Sequence, residues 1–135
     1  MSKSSPKSPI TCHVLDSSLG KPAKGVPIQL QKYRKITSSS EGDLFAFDPI
    51  AHGETNDDGR CLDLLTSTSE SSEGLAVLTS GLYKIVFQTK NYFDTVNREC
   101  FYPWVEITFE VKEINQHYHI PLLLSPYSYT TYRGS

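Results

Sequence analysis

Residues 105–111, VEITFEV, set Val105, Ile107, Phe109 and Val111 against Glu106, Thr108 and Glu110 without a break. Strand side chains alternate between two faces, so this pattern buries one face and wets the other only as a β-strand. The same period of two returns along the chain. Val26, Ile28 and Leu30 alternate with Gln29 and Gln31, and Tyr83, Ile85 and Phe87 flank Lys84. Tyr118, Ile120, Leu122 and Leu124 alternate with His117 and His119. Turn chemistry punctuates these runs: SSLGKPAKG follows ITCHVLD at 10–16, and Asn56-Asp57-Asp58-Gly59 supplies residues that tolerate positive φ.

Strands are therefore expected at 10–16, 26–31, 44–47, 60–65, 83–88, 105–111, 117–124 and 127–133. Ser125-Pro126 separates the last two. Residues 37–43, TSSSEGD, read as a polar loop. Residues 66–74, TSTSESSEG, read as an acidic, low-complexity loop that is expected to be mobile. A short helix is expected near 90–96. Seven or eight strands in 135 residues imply an all-β sandwich with one core. Residues 1–8 are expected to form a disordered leader, and 9–135 the domain.

Composition narrows the class. With 38% hydrophobic and 21% charged residues the chain is globular rather than disordered. Its net charge of −2, without a basic run, argues against nucleic acid or an anionic membrane as partner. No apolar stretch reaches the length of a membrane span. MSKSSPKSPI lacks the apolar segment of a secretory signal. Cys12, Cys61 and Cys100 are widely spaced and odd in number. They read as free thiols of a reducing compartment, with one disulfide and a spare thiol as the alternative. Cytosol is the expected location, and a peroxisomal one stays open.

Alternation also sorts the polar groups. In 117–124 the even positions form the core face, so His117 and His119 lie on the outer one. In 10–16, Ile10, Cys12 and Val14 face the core, and His13 lies opposite with Thr11 and Leu15. Arg60 follows the NDDG turn at a strand end. His52 and His117 read as ordinary exposed histidines, and Tyr127, Tyr129 and Tyr132 as strand formers. His117-x-His119 has no further ligands at metal-site spacing, and no GxSxG elbow supports a serine hydrolase.

Three segments together, TCHVLDSSLGKPAKGVPIQL, TNDDGR and HYHIPLLLSPYSYTTYRGS, resemble the 5-hydroxyisourate hydrolases, the enzyme branch of the transthyretin-like family. The resemblance runs from about residue 9 to residue 135, and Tyr132-Arg133-Gly134-Ser135 is its most specific part. It implies a sandwich of two four-stranded sheets with one short helix. It also implies a homotetramer built as a dimer of dimers, with sites in a channel between outward sheet faces. By the same resemblance, the catalytic positions fall on His13, Arg60, His119 and Ser135, with His13, Arg60 and Tyr132 binding substrate. His119 is the expected base, His13 would orient water or substrate, and no cofactor or metal is implied. Segments 34–55 and 66–80 are longer than the family core, and Trp104 stands where the family has an acidic residue. Two other classes compete: a non-enzymatic carrier of a small aromatic ligand in the same channel, and an Ig-like interaction domain.

Overall fold

The computed structural model describes residues 8–40, 42–65 and 78–135. The expected leader at 1–7 and the loop at 66–74 lie outside these residues. Ser8, assigned to the leader from sequence, is fully buried. Its hydroxyl donates to the Ile10 carbonyl and accepts from the amides of Ile10 and Leu65.

Two sheets face each other. One has the order β4 (Gly42–Glu54), β3 (Pro27–Ser39), β6 (Gly81–Phe87), β7 (Val105–Val111), all antiparallel. The other is centred on β1 (Ile10–Asp16) and β8 (Tyr118–Ser125), with β9 (Ser128–Thr131) at its edge. Two segments of two residues each, β2 (Lys21–Pro22) and β5 (Arg60–Cys61), also pair with β1 and bring this sheet to five strands. The helix α1 (Thr89–Thr95) tucks Tyr92 and Phe93 inward.

The core is the meeting of the alternating apolar faces. Ile10, Cys12 and Val14 of β1 and Leu122 and Leu124 of β8 pack against Ile28, Leu30, Tyr83, Ile85 and Phe87. Such large, fully buried side chains each contribute about 1.5–3 kcal/mol to folding. Val105 and Val111 are buried as their pattern requires, but Ile107 and Phe109 are only half-buried. They sit on the edge strand β7, where the sandwich gapes over a small apolar cavity lined also by Tyr118 and Ile120.

Sequence and structure differ most at the long hairpin. Residues 37–39, expected in a loop, belong to β3, and the strand expected at 44–47 extends over all of Gly42–Glu54. Thr37 pairs with Leu44, Ser38 with Asp43 and Ser39 with Gly42. Residues 34–37 and 42–45 are exposed one after another, so no period-two burial marks them, and backbone pairing sets the strand instead. Tyr33, Phe45 and Phe47 cluster on it, with ring centroids 5.5–6.1 Å apart. At 60–65 the opposite holds: only Arg60 and Cys61 pair, and the strand stops there.

Candidate active site

β1 and β8 lie side by side in parallel, with Thr11 opposite His119 and His13 opposite Pro121. Neighbouring residues of one register point to the same face. Thr11, His13 and His119 therefore share the outer surface of this sheet, as alternation implies.

Arg60 reaches the same surface through the NDDG turn. The Asn56 side-chain oxygen accepts hydrogen bonds from the amides of Asp58 (2.9 Å) and Arg60 (3.0 Å). Gly59 sits at φ +75°, and a Cβ there would run into the Val14 carbonyl. Only glycine allows that approach, in which the Val14 amide donates to the Gly59 carbonyl at 2.7 Å. The turn thereby places Arg60 opposite His13 in register. It also brings the Asp58 carbonyl 3.1 Å from His13 Nε2. A carbonyl only accepts, so His13 Nε2 carries the hydrogen and the neutral ring keeps its lone pair on Nδ1.

The tail folds back over the start of β8. The Gly134 amide donates to the His119 carbonyl at 2.9 Å. A Cβ on Gly134 would lie 2.6 Å from His119 Cδ2, so glycine lets the tail cross beside the imidazole. Arg133 does not line the cleft: its guanidinium lies 4.7 Å from the Tyr118 ring centroid and donates to Gln116 at 3.1 Å and to the His117 carbonyl at 3.5 Å. It clamps the tail through a cation–π contact.

These elements surround one cleft of about 500 Å³. His13, Arg60, His119, Tyr132 and Ser135, the five residues singled out from sequence, all line it, together with Thr11, Leu62, His117 and Gly134. His52 is elsewhere, on β4 of the other sheet. His117, read from sequence as a bystander, belongs to the cleft: its Nε2 lies 2.9 Å from Thr11 Oγ1, which is also 2.7 Å from His119 Nδ1. Alternation had put Thr11 and His117 on the right face, but pairing between distant strands is what joins them. The His13 and His119 rings are 6.4 Å apart, and those of His117 and His119 6.3 Å. No cluster of metal-ligating side chains occurs among the described residues.

The electrostatics suit a neutral base. Burial, then the charge of Arg60, push the His13 pKa below the ordinary 6.5, partly offset by the Asp58 carbonyl. Burial and then the His13, Arg60 and His117 charges push His119 down as well. The Arg60 guanidinium is exposed and has no ion-pair partner among the described residues. A cleft holding neutral imidazoles and an unpaired cation can take a proton from water and stabilise negative charge on an oxygen.

The chain is 40% identical to the mouse 5-hydroxyisourate hydrolase over 128 residues, which covers 95% of this chain and 96% of that protein. Its fold matches the solved Klebsiella pneumoniae 5-hydroxyisourate hydrolase with a TM-score of 0.68 at 29% identity, covering 93% of this chain and 97% of that one. It matches sea bream transthyretin, solved in complex with thyroxine, equally well: TM-score 0.72, 28% identity, 94% and 95% covered. The family model described as the HIUase/Transthyretin family matches residues 10–134. The chain belongs to that family.

Proposed function

We propose that the protein hydrolyses 5-hydroxyisourate, opening its six-membered ring to 2-oxo-4-hydroxy-4-carboxy-5-ureidoimidazoline in the degradation of urate to allantoin. The observation that carries this reading is the convergence of His13, Arg60 and His119 with Tyr132 and Ser135 on one cleft. Water adds across an amide-like C–N bond: its oxygen bonds to the carbonyl carbon, and its proton ends on the leaving nitrogen. His119 removes the first proton, for which a neutral imidazole is suited. His13, held by the Asp58 carbonyl, orients water or substrate through Nδ1. Arg60 binds the anionic ring through its planar fork and offsets charge on the oxyanion. Tyr132 and Ser135 hydrogen-bond the flat ring.

Carriage of an aromatic ligand is the second reading, favoured by the equal likeness to sea bream transthyretin. Sequence weighs against it, because the mouse relative matched along nearly its whole length is named a hydrolase. The cleft does too, because a carrier of apolar aromatics would have to desolvate the imidazoles and Arg60 at a cost of several kcal/mol, roughly 2–7 for each unpaired polar group.

The working form in this reading is a homotetramer, a dimer of dimers that closes the cleft into a channel. Exposed Leu62 at its rim supports that burial. The location in this reading is the cytosol, in keeping with free Cys12, Cys61 and Cys100. No helix among the described residues is long and apolar enough to cross a membrane.

An ultraviolet time course tests the activity. Urate oxidase generates 5-hydroxyisourate in the cuvette, and the protein is added once urate is consumed. Faster decay of the intermediate than in buffer is expected. Unchanged decay with folded protein overturns the reading and sends the cleft to ligand screening.

A further inference from the structure

Thr11 is 3% exposed, and its hydroxyl lies between two imidazoles, 2.9 Å from His117 Nε2 and 2.7 Å from His119 Nδ1. A hydroxyl has a single hydrogen to donate. Among the described residues these two nitrogens are its partners, so it donates to one ring and accepts from the other. We propose that Thr11 couples His117 to His119, so that the proton on His117 decides whether His119 offers the cleft a base or a donor. The coupling stands on geometry alone; its use in catalysis rests on the hydrolase reading.

The hydrogen on His117 Nε2 selects between two arrangements: the cation always carries it, and the neutral ring lacks it in the Nδ1–H tautomer. When His117 Nε2 bears no hydrogen, Thr11 donates to it and accepts from His119 Nδ1–H. The neutral His119 ring then keeps a lone pair on Nε2, the nitrogen left for the cleft. When His117 is a cation, its Nε2–H donates to Thr11, and Thr11 must donate to His119 Nδ1. Neutral His119 then carries its hydrogen on Nε2 and can only donate there.

The same wire balances the hydrolysis. His119 Nε2 takes a proton from the attacking water. The Nδ1 hydrogen of His119 passes to Thr11 Oγ1, and the Thr11 hydrogen passes to His117 Nε2. The positive charge thus leaves a ring that faces His13 and Arg60 and reaches the exposed His117. Like charge near Arg60 favours that displacement. Among the described residues Arg133 is also near His117, with its Nη2 3.5 Å from the His117 carbonyl, and no carboxylate side chain lines the cleft. As His119 Nε2 gives its proton to the leaving nitrogen, both transfers reverse and all three groups return to their starting state. Thr11 is a positioning residue in this scheme, and His117 is the proton store.

Two measurements test it on the whole protein, with Thr11→Val as the isosteric variant without a hydroxyl and Thr11→Ser as its conservative control. Imidazole nitrogen NMR without substrate reads the His119 tautomer as pH is varied. In the wild type His119 should change from the Nδ1–H to the Nε2–H form as His117 gains its proton. Thr11→Val should abolish that link and Thr11→Ser restore it. A wild-type His119 tautomer indifferent to His117 overturns the coupling, whatever the protein's activity. In steady-state kinetics Thr11→Val should lower kcat about 10-fold or more with KM nearly unchanged, while Thr11→Ser stays within about 2-fold. A Thr11→Val kcat equal to wild type overturns the catalytic use. Wild-type protein inert toward 5-hydroxyisourate overturns the hydrolase reading instead, and the NMR titration still decides the coupling.

Discussion

Two arginines sit against β1, Arg60 opposite its central His13 and Arg98 at its last residue, Asp16, and their surroundings could hardly differ more. Arg98 donates to Asp16 at 2.7 Å and to the Ser18 hydroxyl at 2.6 Å. Asp16 is fully buried and accepts from Tyr92 as well, at 2.8 Å. Burial pushes the Asp16 carboxyl up, but hydrogen bonds from Ser18, Tyr92 and Arg98 outweigh it and hold it below the ordinary 3.8. Burial and the Asp16 carboxylate push Tyr92 to about 12. Every polar group there already has its partner inside the chain. Arg60 shares its cleft with imidazoles and, among the described residues, no carboxylate side chain. A charge that the fold satisfies holds the fold together, and a charge it leaves unsatisfied is available to a ligand.

That contrast can be broken from either side. The largest effect is expected for His119→Ala, which should lower turnover by roughly 100-fold while thermal unfolding stays close to wild type. A folded variant with full turnover removes His119 from the base role. Next is Arg60→Ala, which should raise KM and also shift the pH profile. His13 and His119 are both held below 6.5, so turnover limited by their protonation should rise with pH through a midpoint under that value. Removing the cation raises both pKa values, so the midpoint of Arg60→Ala should move to higher pH. A profile that does not move would mean Arg60 lies farther from the working base than the structure places it.

Arg98→Ala should do the reverse and spare chemistry while costing stability. It strands a buried carboxylate, at about 3 kcal/mol, the low end for a broken buried pair because Arg98 is itself 26% exposed. Chemical denaturation reads this directly. The pH dependence has a definite sign. The Asp16 pKa is depressed in the folded state, so its contribution is present above the ordinary carboxylate range and is lost as pH falls through the folded value. The wild type should therefore lose more stability than Arg98→Ala in acid below 3.8. The smallest effect sharpens the comparison at the tail. Gly134→Ala pushes a methyl toward the His119 ring and should cost about 10-fold in kcat through misplacement. Its unfolding free energy should change by less than about 0.5 kcal/mol.

Much of this was legible in the residues themselves. Strand alternation is a one-dimensional signal of burial, so the core faces of β1, β6 and β8 and the outward direction of His13, Thr11, His117 and His119 could be read without coordinates. It faded where burial stops being two-sided. Residues 37–43 of the β3–β4 hairpin looked like a loop because Thr37, Gly42 and Asp43 are exposed and give no alternation. Leu62 to Leu65 looked like a strand because apolar residues there serve the core and the cleft without pairing.

Sequence alone determined which side chains turn away from the core, and the YRGS tail pointed to a family. What only the tertiary structure decided is which of those side chains meet. Thr11 and His119 are 108 positions apart and share a hydroxyl because β1 and β8 pair in parallel in that register. His13 faces Arg60 because a glycine at positive φ lets a four-residue turn press against the Val14 carbonyl. Alternation is set by local backbone geometry, whereas register between distant strands is set by how the whole core packs.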